Sequence, residues 1–128
     1  MTPPMMQMIN ALVQTAPTLM AEIESPAVPA KLDVVGEMVY LADTWQGLRI
    51  IDAAGAATPV FAGSFDTPGV AYDVALDAQV AYIADGTEGL RRVDVSTPAS
   101  PFEIDAVDYV DDAVAVAVDG DYAYLANG

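Results

Sequence analysis

The sequence is written in a 42-residue repeat. Tyr40 to Asp52 reads YLADTWQGLRIID, Tyr82 to Asp94 reads YIADGTEGLRRVD, and Tyr124 opens a third copy, YLANG. At this shift Tyr40, Tyr82 and Tyr124 align, as do Asp43, Asp85 and Asn127, and prolines recur at Pro17, Pro59 and Pro101. The head of the chain is in phase too: MMQMIN from Met5 to Asn10 falls on GLRIID and GLRRVD. A fixed period of this length signals one supersecondary unit used several times, so the fold must be built by stacking that unit.

Inside one period every local signal is for a short strand. Tyr72–Leu76, Val80–Asp85, Leu90–Val95 and Phe102–Tyr109 are rich in β-branched and apolar residues and are bounded by turn formers. Four strands joined by loops of about two to six residues leave no room for a helix. The segments VYLA (Val39 to Ala42) and AVAVAV (Ala113 to Val118) are apolar on both faces. A sheet with one wet face should alternate, so these strands belong to a sheet covered on both sides. Four-stranded sheets covering one another at this period predict an all-β fold of β-propeller blades, each of four antiparallel strands.

The repeat divides the single domain, residues 1–128, into a half blade (5–28), two blades (29–70 and 71–112) and a second half blade (113–128). That is an incomplete propeller of about three blade equivalents, where closed propellers have four to eight. The expectation is a fragment of a longer protein; the alternative is self-association, the half blades of different copies pairing through their open edges.

Composition narrows the chemistry. Without Cys or His, disulfides, thiolate metal sites and Ser-His-Asp or Cys-His catalysis are excluded. Nineteen acidic residues against four basic ones give a net charge of -15, which repels nucleic acid and anionic membranes and favours cationic partners. Such a balance also suits a protein kept soluble in high salt. No apolar run is long enough for a membrane-spanning helix, and no membrane insertion is expected. The opening MTPPMMQMINALVQTAPTLMAE lacks a basic start and is broken by prolines, so it does not read as a signal peptide.

Several residues carry competing readings. Asp43, Asp85 and Asn127 end second strands, where they are expected to accept hydrogen bonds from the turn that follows; the rival is a ring of oxygen ligands. Asp66, Asp73, Asp108, Asp111 and Asp112 lie in or near loops leading into innermost strands, and are the candidate ligands for calcium, although no EF-hand spacing occurs. No other cofactor is implied. Arg49 and Arg91 are expected to pair with acids on a neighbouring strand. Trp45 interrupts the repeat in a loop and, with Asp66, Asp73, Asp108 and Asp112, is a candidate contact residue for a ligand. Gly47, Gly89 and Gly120 are expected at positive φ, Gly120 within the hairpin signal Asp119 to Asp121.

The segments DYAYLANG, YIADGTEGLRRVDVSTPASP and YLADTWQGLRIID resemble the LVIVD repeat, a β-propeller blade motif of bacterial and archaeal proteins. YVTN-type propellers are less similar, lacking the Gly-Leu-Arg run. Trp45, Gln46, Arg92 and the segment AAGAATP depart from the pattern. The resemblance implies blades with the innermost strand first, and an extracellular or cell-surface location. Two classes of function remain: a non-catalytic scaffold binding a protein or glycan, including a calcium-dependent adhesin, or part of a propeller enzyme acting on glycans with carboxylates such as Asp73, Asp108 and Asp112. The absence of His, Cys and any nucleophile motif favours the scaffold.

Overall fold

In a computed structural model the chain is described over residues 4–10, 18–25, 27–55, 58–108 and 111–128. Twelve strands and no helix occur among them. The strands β1 (Met5–Asn10) and β2 (Thr18–Glu24) pair as a two-stranded antiparallel sheet. Next come two four-stranded antiparallel meanders. The first comprises β3 (Lys31–Val35), β4 (Met38–Ala42), β5 (Leu48–Asp52) and β6 (Val60–Phe65). The second comprises β7 (Asp73–Asp77), β8 (Val80–Ala84), β9 (Leu90–Asp94) and β10 (Phe102–Val107). Last, β11 (Ala113–Asp119) pairs with β12 (Tyr122–Asn127). The fold is all-β, its four-stranded antiparallel sheets are the blades of an incomplete propeller, and none of its sheets closes on itself.

The strands deduced from the sequence fall within one or two residues of those observed. Tyr72 precedes β7, and its N–H bonds the carbonyl of Ala84; Asp85 and Val95 lie just beyond β8 and β9. β10 ends at Val107 after a register shift between Glu103 and Asp105; Tyr109, expected to close it, lies outside the described residues.

The core sits between the sheets, which explains the lack of alternation in β4. Tyr40 and Ala42 point with Leu48 and Ile50 into a cluster shared with Val74, Ile83 and Val93 of the next blade, while Val39, Leu41 and Ile51 pack on Met6 of β1. A third cluster joins Ala84 and Leu90 to Ala113 and Val116. Ile50, Ile51, Ile83 and Val93 are fully buried, and each such side chain stabilises the stack by about 1.5–3 kcal/mol relative to exposure.

The blades are also laced by backbone. Thr44 and Ala71 exchange both hydrogen bonds as an isolated bridge, and Gly86 and Ala113 repeat it one period later. Arg92, which departs from the repeat, is matched in the same blade: Ile50 opposite Gly63 becomes Arg92 opposite Asp105, and the guanidinium grips that carboxylate at 2.6 and 2.7 Å.

Candidate functional site

Antiparallel pairing gathers one set of turns at one end of the sheets. There β4 turns into β5 and β8 into β9, and there β6 and β10 leave for the next blade. The β4–β5 turn packs against the exit of β6 so closely that a Cβ at Gly47 would lie 2.6 Å from the Thr67 nitrogen and 3.1 Å from Asp66 Cα. The β8–β9 turn repeats this against Asp108. Trp45, Asp66, Asp108, Asp111 and Asp112 therefore share one rim with the start of β7, where Asp73 lies. Trp45 is 68% exposed, and Asp66, Asp108 and Asp111 are exposed.

Asp73 is placed differently. Its Oδ1 accepts the N–H of Val74 and its Oδ2 the N–H of Val116 on the innermost strand of the next sheet. Asp33 does the same between β3 and β7, accepting from Val34 and from Leu76. The repeat does not foretell this correspondence, since Asp33 and Asp73 stand at different phases of it, and no sequence signal marks the pair. These two carboxylates hold consecutive innermost strands together.

Asp43 and Asp85 are fully buried. Their partners are not in the turn that follows, as expected, but in the loop that enters their own blade. Asp43 Oδ1 accepts a short hydrogen bond from the Ser25 hydroxyl. Asp85 Oδ1 accepts from the Thr67 hydroxyl at 2.5 Å, and its Oδ2 from the Gly69 N–H at 2.9 Å. Burial raises the Asp85 carboxyl above its ordinary value, against the opposing pull of these donors and of Arg91 Nε 3.7 Å away. Ser25 and Thr67 stand in the same phase of the repeat, each before a proline and each 18 residues ahead of its aspartate. That recurrence was the available signal.

Arg91 meets the expectation for a cross-strand pair, reaching Glu103 on β10 at 3.4 Å as well as Glu88 at 3.3 Å. Arg49 does not: its guanidinium stacks 4.2 Å above the Phe61 ring on β6. Phe61 stands opposite Ile51 rather than offering an acid, so the same position is served by a cation–π contact.

No group of three or more His, Cys, Asp or Glu side chains able to hold a metal ion occurs among the described residues. The response to salt is expected to follow from the net charge. At matched ionic strength, sodium chloride and calcium chloride are expected to raise the melting temperature equally, by screening repulsion within a net charge of -15 over a Debye length of about 8–10 Å. A saturable shift at sub-millimolar calcium, lost in Asp108→Ala or Asp112→Ala, would contradict this.

No curated protein and no solved structure matches the chain. The family model for the LVIVD repeat matches residues 30–67, 68–109 and 111–128, in phase with the sheets. With most of its length accounted for in this way, the chain belongs to the LVIVD repeat family, a repeat associated with β-propellers.

Proposed function

We propose that the chain is a non-catalytic repeat scaffold, whose rim of loops around Trp45 binds a cationic protein or glycan outside the cell or at its surface. The observation that carries this reading is how the carboxylates within and between the sheets are used. Asp33, Asp73 and Asp85 spend both oxygens on neighbouring backbone and hydroxyl groups, tying strands and loops together. The rim is left with solvated acids and one exposed indole, a combination suited to gripping positive charge through Coulomb attraction and cation–π contact. A general acid–base pair built on Asp73 with Asp108 or Asp112 fits the arrangement less well, because Asp73 is already committed to Val74 and Val116.

Trp45 is the only tryptophan, so its emission reports on the rim alone. Titration with an oligolysine peptide is expected to shift that emission saturably, and salt to weaken the effect. By calorimetry, Trp45→Ala should weaken binding roughly tenfold, about 1.4 kcal/mol, without changing the melting temperature. No response to oligolysine, or an equal response in Trp45→Ala, would remove the support for this reading.

A further inference from the structure

The exposed indole of the rim follows a strained residue. Thr44 has a left-handed backbone, φ +45°, which a β-branched residue adopts only at a cost. The repeat supplies glycine at this phase, Gly86 in the second copy and Gly128 in the third, and Gly86 takes φ +61° without that cost. Among the described residues Ala78 is the other non-glycine with positive φ, and it is not β-branched.

Four hydrogen bonds hold Thr44 in place. Its N–H and carbonyl make the bridge to Ala71 at 3.1 and 3.0 Å, the carbonyl also accepts the Gly47 N–H at 3.1 Å, and its hydroxyl oxygen accepts the Val28 N–H at 3.3 Å. The first three recur at Gly86, with Ala113 and Gly89 as partners. The fourth cannot recur there, because glycine has no hydroxyl. A side chain at this phase also needs room. A Cβ at Gly86 would stand 3.3 Å from the Tyr72 ring, whereas the residue in phase with Tyr72 is Ala30, which brings no ring to the Thr44 turn. The first four-stranded sheet thus departs from the second at three phases together: Ala30 stands for Tyr72, Thr44 for Gly86, and Trp45 for Thr87.

We propose that Thr44 is the positioning residue of the Trp45 site: pinned in a left-handed conformation and tied through its hydroxyl to Val28, it restrains the peptide unit that carries the indole. The proposal rests on the reading of the rim around Trp45 as the binding face. A glycine before the indole has both halves of φ space open to it. A buried threonine with its N–H, carbonyl and hydroxyl oxygen all engaged does not. A contact residue fixed in advance loses less freedom on binding, so the strain held at Thr44 returns as affinity for a cation over the indole face.

Thr44→Gly restores the residue of the other copies and should remain folded by circular dichroism. Trp45 is the only tryptophan, so time-resolved fluorescence anisotropy reads its motion directly. Without ligand, Thr44→Gly should give the indole a larger sub-nanosecond depolarisation than the parent, and calorimetry should show oligolysine bound about three- to tenfold more weakly. Thr44→Ser keeps the hydroxyl acceptor and should match the parent in both readouts. Gly120→Ala strains a left-handed glycine in the β11–β12 turn instead; it controls for lost stability and should leave both readouts unchanged. An indole as restrained in Thr44→Gly as in the parent, an indole as loose in Thr44→Ser as in Thr44→Gly, or equal loosening in Gly120→Ala would each overturn the proposal. A parent indifferent to oligolysine, whose indole still loosens in Thr44→Gly, would sustain the placement of Trp45 by Thr44 and refute only the ligand assigned to the rim.

Discussion

Gly89→Val is expected to lower the melting temperature by roughly 10–20 °C, while Glu88→Ala next to it shifts it by only a few degrees. Two costs coincide at Gly89. Its φ of +81° is a conformation that a β-branched residue adopts only under strain of about 1–3 kcal/mol. A Cβ there would also stand 2.0 Å from the Val107 carbonyl oxygen, so the exit of β10 must move. The sum is about 4 kcal/mol or more. Glu88 contributes one partly exposed ion pair to Arg91 at 3.3 Å, and such pairs are worth up to about 1 kcal/mol. Gly120→Ala separates the two costs. Its φ of +59° is similarly left-handed, yet nothing lies within 4 Å of where a Cβ would stand, so only the conformational part, about 1 kcal/mol, should appear. Equal melting temperatures for Gly89→Val and Gly120→Ala would show that the β8–β9 turn does not press on β10.

The contrast between these turns shows what a sequence can and cannot carry. The period, the strands and the positive φ of Gly47, Gly89 and Gly120 were all legible, because each is a local property repeated in phase. The partners of Asp43 and Asp85 were harder. A following turn is the nearest source of donors, but Gly47 and Gly89 fold those turns back so that their own carbonyls accept from the Asp43 and Asp85 N–H groups, and the side chains turn inward to Ser25 and Thr67. The staples made by Asp33 and Asp73 left no trace, because they sit at different phases and their partners are backbone N–H groups, which every residue but proline possesses. The stacking of Arg49 on Phe61 was hidden similarly, since the register shift in β6 decides which residue lies beneath the guanidinium.

Asp85→Ala should cost about 3–5 kcal/mol, whereas Asp105→Ala should cost about 1 kcal/mol or less, although Asp105 makes the shorter contacts to arginine. The fully buried Asp85 carboxylate satisfies Thr67 and Gly69 and lies beside Arg91; its removal leaves the buried Thr67 hydroxyl and the Gly69 N–H without their acceptor and takes from Arg91 its one fully buried counter-charge. Asp105 and Arg92 face solvent, which screens the pair and solvates either partner alone. The pH dependence distinguishes the two still more sharply, because their carboxyls are displaced in opposite directions. Burial raises Asp85, so the folded state holds its proton more tightly than the unfolded chain does. Its contribution is fully present below the ordinary aspartate value of 3.8 and declines as pH rises through the raised folded value. The hydrogen bond from Arg92 lowers Asp105, so its contribution is present above 3.8 and is lost as pH falls through the lowered folded value. Urea unfolding of the parent chain and both variants at about pH 3 and about pH 7 reads this as two differences in stability, in which the shared repulsion of the remaining acids cancels. The gap between parent and Asp85→Ala should widen on acidification, and the gap between parent and Asp105→Ala should narrow. If both gaps moved in the same direction, the buried clasp between blades would not carry the desolvated carboxylate assigned to it.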